Sequence, residues 1–293
     1  MRQQGFAPRQ EPWPKPRRRL YNRGMTDEHA AFIGSIPENY DRYLGPALFE
    51  PYAADIVERL RVSEGASVLE LACGTGIVTR RLRDRLPHGV RLVATDLNEA
   101  MIAYAAGKFG PEEAVEWKQA DATDLPFPDE SFEAVVCQFG LMFVPDKERA
   151  VREAYRVLKP GGLLLFSVWD AIEQNDLAHV AHTTIAKFFE HDPPNFYEVP
   201  FCLHDPVAIN SLLSAAGFRE VKLSTLALPC VSPSAADAAK GLIEGNPVII
   251  AINERAPSDV SKIISAVAEA VAARCGDVPV QARMRALIYT ARR

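Results

Sequence analysis

The chain has no apolar run long enough to cross a membrane. Its first residues also lack a basic stretch followed by an apolar one, which is the pattern of a secretory leader. These two absences argue against an integral membrane protein and against an exported one. We therefore expect a cytoplasmic protein with no membrane span.

Cysteine is scarce, with five residues in 293, and no two of them form a C-x-x-C pair. An odd number without that spacing argues against a disulfide framework and against a zinc site. We expect free thiols in a reducing compartment and no bound metal. The five are Cys73, Cys137, Cys202, Cys230 and Cys275.

Basic charge is also scarce once the first 24 residues are set aside. Residues 1–24 hold seven Arg or Lys and one acidic residue, so their balance of +6 leaves −11 for the rest of a chain whose net charge is −5. Prolines recur between Pro8 and Pro16, and we predict a disordered, basic, proline-rich tail over residues 1–24. The tail is either a binding arm or an extension ahead of a true start at Met25. The acidic remainder argues against a nucleic-acid partner, because phosphates are bound by Lys and Arg.

The stretch Val68–Leu82 organises the rest of the sequence. It opens with four mostly apolar residues, typical of a strand buried on both faces, and a helix begins near Ile77. Between them, Gly74 and Gly76 permit positive φ angles and allow a ligand to approach the backbone. The third glycine of the dinucleotide-binding pattern G-x-G-x-x-G is missing, which disfavours a dehydrogenase. Taken alone, the turn is also compatible with an ordinary strand–turn–helix unit.

Strand-like and helix-like segments alternate from there to residue 169. The alternation predicts right-handed parallel crossovers and a doubly wound α/β sheet with helices on both faces. The predicted strands are Val68–Leu71, Val90–Leu97, Val115–Gln119, Phe132–Gln138 and Leu163–Val168. The predicted helices are Ala47–Leu60, one from Ile77, Asn98–Phe109 with Asn98 as its N-cap, and Asp146–Leu158. An arginine run, which we interpret as a solvated helix face, comprises Arg80, Arg81, Arg83 and Arg85.

Acidic and aromatic residues lie near the predicted carboxyl edge of the sheet. Asp96 ends the second strand, where a carboxylate accepts the two hydroxyl groups of a ribose, although an Asp beside a helix N-terminus explains it equally well. Asp121 follows the third strand at the same edge. Tyr40 and Tyr43 precede the first helix, where they either anchor the segment or close over a ligand.

Four sequence features come in a fixed order: Glu70-x-Ala-Cys-Gly-Thr-Gly76, Asp96, the run Asp121–Val136, and Arg156-Val-Leu-Lys-Pro-Gly-Gly162. Together they resemble the class I S-adenosylmethionine-dependent methyltransferases, and among these the ubiquinone/menaquinone-biosynthesis C-methyltransferases and related small-molecule enzymes. The resemblance is clear over residues 47–169 and weaker beyond. It implies a Rossmann-like, seven-stranded α/β sheet whose last strand is antiparallel. It also implies S-adenosylmethionine as cofactor and S-adenosylhomocysteine as product.

The resemblance further implies roles for the residues that match its motifs. Gly74 and Gly76 would face the amino-acid part of the cofactor, with Glu70 near its ammonium group. Asp96 would bind the ribose hydroxyls. Ala72 stands where many members have a glycine, and its small side chain still lets the cofactor approach the backbone.

The remaining residues would contact the adenine and the methyl sulfonium of the cofactor. Leu97 and Met101 would flank the adenine, Asp121 would accept from its amino group, and the Ala122 N–H would donate to the ring. Gln138 and Phe139 would lie beside the methyl sulfonium. The predicted cofactor site is Tyr40, Glu70, Ala72, Gly74, Thr75, Gly76, Asp96, Leu97, Met101, Asp121, Ala122, Gln138 and Phe139.

Two predicted insertions, about residues 170–205 and 230–280, would roof the site and select the substrate. The predicted helices beyond the resemblance are Asp176–Glu190, Pro206–Gly217, Ala235–Glu254 and Pro257–Arg274, and the predicted strands are Phe218–Leu226 and Arg283–Arg293. An aromatic group is interpreted equally as core or as an acceptor pocket. Its members are Phe188, Phe189, Phe196, Tyr197 and Phe201.

No catalytic base is assigned. The candidates are His179, His182, His191, His204 and Tyr40. The pair His179 and His182 lacks a third ligand, so no metal is predicted. The stretch Asp192-Pro-Pro-Asn195 resembles the D-P-P-Y box of adenine N-methyltransferases, but it does not follow the fourth strand and we discount it.

We therefore predict one methyltransferase domain over residues 25–293, which moves a methyl group by in-line displacement to a small, apolar or aromatic acceptor. We expect no nucleic-acid partner and leave a homodimer open. Two alternatives remain: a protein or RNA methyltransferase, supported only by the basic tail, and a cofactor-binding regulator without turnover.

Overall fold

The computed structural model describes residues 31–293, so the tail predicted over residues 1–24 lies outside the described residues. Seven strands form one sheet in the order β3-β2-β1-β4-β5-β7-β6. The strands are β1 Ser67–Leu71, β2 Arg91–Asp96, β3 Val115–Gln119, β4 Phe132–Gln138, β5 Leu158–Trp169, β6 Arg219–Ser232 and β7 Val280–Arg292. The first five are parallel, and β7 runs antiparallel to both β5 and β6. The predicted Rossmann-like sheet with an antiparallel last strand is confirmed.

Ten α-helices and one π-helix connect and cover these strands in the described residues. They are α1 Ile36–Asn39, the π-helix Tyr40–Phe49, α2 Glu50–Arg59, α3 Ile77–Arg85, α4 Glu99–Ala106, α5 Lys147–Val157, α6 Asp176–Ala186, α7 Pro206–Ala216, α8 Ala235–Glu244, α9 Val248–Arg255 and α10 Val260–Cys275. Consecutive residues of β1 and β4 are buried, which requires cover on both faces of the sheet. None of the helices in residues 31–293 combines the length and the apolar composition needed to span a bilayer.

The register places the functional strand ends at one edge. Asp96 on β2 pairs with Gln119 on β3, and Gln138 on β4 pairs with Ser167 on β5. Because parallel strands end together, the turns that follow β1, β2, β3 and β4 meet outside this edge, where open α/β sheets bind ligands.

Two predicted helices were wrong in extent. The helix predicted over Ala47–Leu60 begins as the π-helix at Tyr40 and becomes α2 at Glu50. The helix predicted over Ala235–Glu254 is two helices, α8 and α9, separated by residues 245–247. Pro247 at the N-cap of α9 explains the break, because proline starts a helix more readily than it continues one.

The arginine run is not a uniformly solvated face. Arg83 is buried and donates to the carbonyls of Val90, Leu86 and Pro87 at 3.1, 3.1 and 2.8 Å. It therefore closes the turn between α3 and β2. Because four arginines within six residues do not show which one points inward, the sequence alone missed this role.

Candidate active site

The turn after β1 forms a backbone cradle. Ala72, Gly74 and Gly76 all have positive φ angles, of 53°, 54° and 82°. A Cβ added to Gly74 would meet no atom within 4 Å, whereas one on Gly76 would lie 3.0 Å from the Ala105 Cβ. Gly74 therefore faces open space at the edge of the sheet, and Gly76 lets α4 pack closely. Ala72 holds a conformation that glycine adopts at lower cost, which explains the residue type expected there.

Asp96 lies beside this cradle at the end of β2. Its carboxylate is buried and accepts from the Gly74 N–H at 2.9 Å and from the Asn98 N–H at 2.8 Å. Burial raises the pKa of Asp96, and these backbone donors oppose the increase. Asn98 occupies the predicted N-cap of α4, but its side chain makes no capping hydrogen bond. The result is a fixed carboxylate whose remaining lone pairs can accept from a ligand.

Glu70 is the second buried carboxyl group of the site. Its Oε2 accepts from the Thr79 hydroxyl at 2.7 Å, and the residue is 2% exposed. Burial raises the pKa of Glu70 to about 8, with a smaller contribution from the negative charge of Asp96. A cation placed beside Glu70 would favour its ionised form.

The loop after β3 places the third acidic residue at the same edge. Asp121 is exposed, and its Oδ1 accepts from the Thr123 N–H at 2.7 Å and from the Thr123 hydroxyl at 2.8 Å. These bonds fix the backbone of the neighbouring Ala122. The second carboxylate oxygen of Asp121 receives no donor in the part of the chain that the structure describes, so it remains available to a ligand.

The two residues predicted to flank an adenine differ in exposure. The side chain of Leu97 is exposed, at 54%, beside the open edge of the sheet. Met101 is buried in a small cluster with Phe32 and Ile36, which precede the π-helix. Met101 therefore also packs α4 against the segment that leads to Tyr40.

Tyr40 opens the π-helix and stacks on Phe49, with ring centroids 4.6 Å apart. Burial raises the pKa of its hydroxyl, and the charges of Asp96 and Asp41 raise it further. The sequence left the role of Tyr40 undecided between anchor and ligand contact, and the structure shows that Tyr40 packs against the core.

Gln138 and Phe139 end β4 at the centre of the edge. Gln138 Nε2 donates to the Phe49 carbonyl at 3.2 Å, while its Oε1 is buried without a partner. Phe139 has a φ of 51°, and its ring stacks on Trp169 with centroids 3.9 Å apart and planes 6° apart. The buried Thr75 hydroxyl also lacks a partner.

An aromatic pocket adjoins this edge and encloses about 670 Å³ of empty space, part of it open to solvent. Its walls come from the π-helix, the ends of β4 and β5, and both predicted insertions. Its aromatic lining residues are Phe32, Tyr40, Phe49, Phe139, Phe143, Trp169, Phe196, Tyr197 and Phe201. Tyr40 and Phe139 therefore belong both to the predicted cofactor site and to this pocket.

The aromatic group left open by the sequence divides in the structure. Phe196, Tyr197 and Phe201 line the pocket, whereas Phe188 is exposed and Phe189 packs against the core. Trp169 was missed by the sequence reasoning. Its position, as the last residue of a strand that ends at the ligand edge, is the signal that predicts it.

The candidate bases differ sharply in position. Tyr40 lines the pocket, and His179, His182, His191 and His204 do not. His204 Nδ1 lies 2.7 Å from the Phe201 carbonyl outside the pocket. Within residues 31–293, no three His, Cys, Asp or Glu side chains come together as a metal site would require.

The Asp192–Asn195 stretch does not follow β4 in the chain and instead precedes Phe196. Asp192 is exposed and pairs with Arg255 on α9. The structure thus gives this stretch a surface role in joining the two insertions.

Comparison with known proteins identifies the central unit. Residues 69–166 match the family described as "Methyltransferase domain". An Enterobacter protein named ubiquinone/menaquinone biosynthesis C-methyltransferase UbiE is 44% identical over 107 residues, covering 36% of this chain and 43% of that protein. A Thermosynechococcus vestitus protein named 2-phytyl-1,4-naphtoquinone methyltransferase is 29% identical over 214 residues, covering 68% of this chain and 93% of that protein. The UbiE match thus spans less than half of that relative.

The fold gives an independent comparison. The structure of YcgJ from Bacillus subtilis superposes with a TM-score of 0.56 at 19% identity, covering 82% of this chain and 97% of that one. Fold, site and sequence match together define a class I S-adenosylmethionine-dependent methyltransferase domain. Within that class, the domain is similar to the UbiE protein over the 107 matched residues.

The site fits the cofactor of this class, S-adenosylmethionine. The open space over Gly74 accommodates a ligand that touches the backbone, which a side chain would block. Asp96 offers fixed acceptor lone pairs beside that space, and Glu70 provides a buried carboxyl group that a ligand cation would ionise. The donor and acceptor set therefore matches a ligand with ribose hydroxyls and an ammonium group.

Proposed function

We propose that this chain transfers a methyl group from S-adenosylmethionine to a small, apolar or aromatic molecule bound in the aromatic pocket. The observation that carries the proposal is that Tyr40 and Phe139, both predicted cofactor contacts, line the pocket, and that Gly140, next to Phe139, packs on Ala72 of the cradle. A cofactor held at the edge and an acceptor held in the pocket would meet at these two side chains. That arrangement suits the in-line approach that methyl transfer requires.

The cofactor contacts are those predicted from the motifs. Gly74, Gly76 and Thr75 would hold the amino-acid end, and Glu70 would face its ammonium group. Asp96 would accept from both ribose hydroxyls. The buried, unpartnered hydroxyl of Thr75 supports a polar ligand group at this end.

The adenine would lie over the loops after β2 and β3. Asp121 and the Ala122 N–H would pair with its edge, and the exposed Leu97 would cover one face. The free oxygen of Asp121 supports this placement. Met101 would contribute from beneath, through its packing on α4.

The cofactor supplies an electrophilic methyl group, so the protein has to position the acceptor and exclude water. The stacked Phe139 and Trp169 rings form an apolar wall that does both. Tyr40 is protonated near neutrality, as tyrosines ordinarily are, and burial raises its pKa further, so its hydroxyl would donate a hydrogen bond rather than act as a base. Among residues 31–293, no histidine lines the pocket, and we propose that the acceptor is nucleophilic without help from a histidine base.

The names of the two relatives support a quinone-type ring as the first acceptor class to test. A ring of that kind suits the aromatic lining of the pocket. A protein or RNA acceptor receives less support, because the chain outside residues 1–24 is acidic and the pocket is walled by apolar rings. A protein that binds the cofactor without turnover would have the same cofactor site, so an assay of methyl transfer distinguishes it from an enzyme.

The test is transfer of a labelled methyl group. The purified chain is incubated with methyl-labelled S-adenosylmethionine and cell extract, and the label is partitioned between organic-soluble and macromolecular fractions. We expect label in the organic-soluble fraction, and loss of that label with Asp96→Ala. Label in macromolecules would contradict a small acceptor, and cofactor binding without any transfer would support the non-catalytic alternative.

The Asp96→Ala variant also measures the cofactor site directly. Removing the carboxylate deletes two charge-assisted hydrogen bonds, so we expect S-adenosylhomocysteine to bind at least about tenfold more weakly. Asp124→Ala is the matched control, because the Asp124 side chain is 82% exposed on the neighbouring loop. Isothermal titration calorimetry of both variants checks the prediction, which is wrong if the two affinities fall equally.

A further inference from the structure

Most polar side chains that line the aromatic pocket already have partners within the protein. Asn175 donates to three backbone carbonyls, and its Oδ1 accepts from the Arg285 N–H at 2.9 Å. Arg283 donates to both oxygens of Asp176, at 2.8 and 3.0 Å. The thiol of Cys230 is fully buried and is a weak hydrogen-bonding group. Asn175 therefore has no free hydrogen-bonding atom for a ligand, and Arg283 is held in place by Asp176.

Of the two tyrosines of the pocket, Tyr197 is committed, because its hydroxyl donates to the Leu242 carbonyl at 2.6 Å and also lies beside the Asn246 amide group. The Tyr40 hydroxyl belongs to the proposed cofactor site. A further polar group is therefore needed to recognise an acceptor in the pocket.

Asn246 has a spare acceptor. Its Nδ2 donates to the Leu242 carbonyl at 3.1 Å, which fixes the amide orientation because the atom facing a carbonyl has to be a donor. In residues 31–293, no group donates to its Oδ1. Gln138 Oε1 is fully buried without a partner, whereas Asn246 Oδ1 keeps some accessible surface. Asn246 also lines the pocket.

Packing places Asn246 next to the residue that both sites share. It follows Gly245, where an added Cβ would lie 3.1 Å from the Tyr40 nitrogen and 3.2 Å from its Cα. The end of α8 therefore touches the start of the π-helix. A ligand group that reaches Asn246 would lie in the pocket near its Tyr40 end.

We propose that Asn246 selects the acceptor, by accepting a hydrogen bond from an O–H or N–H donor on a ligand whose apolar body fills the aromatic pocket. A ligand without such a donor would leave Oδ1 unpaired in an apolar environment, which a site of this kind penalises. That this ligand is the methyl acceptor rests on the proposed function. The selection itself is a binding property and is measured without turnover.

The test compares two probes that differ by one donor, 2-naphthol and 2-methoxynaphthalene, by calorimetric titration with S-adenosylhomocysteine present. The wild-type chain should prefer 2-naphthol by about tenfold, the value of one well-formed hydrogen bond in a buried site. Asn246→Leu should abolish that preference and leave the 2-methoxynaphthalene affinity within about twofold. Asn210→Leu is the matched control and should keep the preference, because Asn210 is exposed on α7 and does not line the pocket.

The proposal is overturned if Asn246→Leu keeps the wild-type preference, if the wild type has none, or if it binds neither probe. Melting temperature and S-adenosylhomocysteine affinity show whether Asn246→Leu is folded, and Asn246→Ala replaces it if it is not. Failure of the proposed function has a different signature. In that case no methyl label is transferred while the probe preference and its loss in the variant remain.

Discussion

At the scale of single residues, Glu70 shows how burial sets the chemistry of the cofactor site. The carboxyl group is enclosed at the end of β1 with a single side-chain donor, the Thr79 hydroxyl, and its pKa rises to about 8. Without a ligand, a large fraction of Glu70 is therefore protonated at neutral pH. A ligand ammonium group would stabilise its ionised form, so cofactor binding and proton release are linked at this residue.

This pKa predicts how stability depends on pH. The folded-state pKa lies above the usual value of 4.5, so the stability contribution of Glu70 is complete below that value and is lost as pH rises toward about 8. Glu70→Gln cannot ionise and still accepts from Thr79. We expect the free energy of unfolding of the ligand-free wild type to fall relative to Glu70→Gln between pH 5 and pH 8, by at least about 1 kcal/mol.

Urea denaturation of both proteins across this range checks the effect of Glu70. Parallel stability curves would contradict the predicted protonation. Addition of S-adenosylhomocysteine should reduce the difference, because the ligand ammonium group compensates the ionised carboxylate.

At the scale of elements, the cradle depends on the close contact between the turns that follow β1 and β4. A Cβ on Gly140 would lie 2.4 Å from the Ala72 Cβ and 2.9 Å from the Cys137 Sγ. Gly140 has a φ of −104°, so glycine is required there for space and not for backbone conformation. The two turns are therefore so close together that only a residue without a side chain fits at position 140.

Gly140→Ala should therefore disturb both stability and the cradle. We expect a loss of about 1–3 kcal/mol, as for other overpacked sites, together with weaker binding of S-adenosylhomocysteine. Gly161→Ala is the control, since Gly161 has a φ of 77° but no atom within 4 Å of an added Cβ. The control should cost about 1 kcal/mol from backbone strain and leave binding unchanged. Equal effects on binding would contradict the account.

Arg83 joins α3 to β2 by donating hydrogen bonds to three backbone carbonyls between them. Arg83→Ala should destabilise the fold by about 2–3 kcal/mol, because several buried carbonyls lose a charged donor. Arg81→Ala is the matched control. Its partner Glu50 and Arg81 itself are both more than a third exposed, so the loss should stay below about 0.5 kcal/mol. Thermal or urea denaturation separates the two variants, and similar losses would show that the Arg83 contacts contribute little.

Much of the central sheet and of its ligand edge was predictable from sequence. A buried strand, a glycine turn and an acidic residue at the next strand end are local patterns, and the structure places Glu70, Gly74 and Asp96 together as these patterns indicate. Their roles toward the cofactor stay predictions. Local patterns suffice here because parallel strands end at one edge regardless of the remaining chain.

The roof of the site was less predictable, because it depends on contacts between distant segments. The break between α8 and α9 brings Asn246 to the pocket, yet the sequence around Pro247 continues a helical pattern on both sides. Arg83 was misassigned because its buried position depends on carbonyls contributed by other elements. Trp169 depends on the stacking partner Phe139, which lies thirty residues earlier.

At the scale of the whole molecule, the pocket joins parts of the chain that are far apart in sequence. Its walls include Phe32 before the π-helix, Phe139 after β4, Phe196 in the first insertion and Leu242 in the second. Helix α10 packs on α6 and α8, and α8 packs on the π-helix, so the two insertions support one another. The methyltransferase sheet thus carries a roof built from both insertions, and we propose that acceptor choice depends on that roof.

Two variants, Phe143→Ala and Phe188→Ala, test most directly whether the acceptor is bound in the aromatic pocket. The measurement is the rate of label transfer into the organic-soluble fraction at saturating S-adenosylmethionine. Phe143 is half-buried and lines the pocket, whereas Phe188 is exposed and does not. We expect Phe143→Ala to lower the rate by at least about tenfold with cofactor affinity unchanged, since a lost aromatic contact costs about 1.4 kcal/mol or more. Phe188→Ala should match the wild type. Equal rates for all three proteins would contradict the claim that the acceptor is bound in the aromatic pocket.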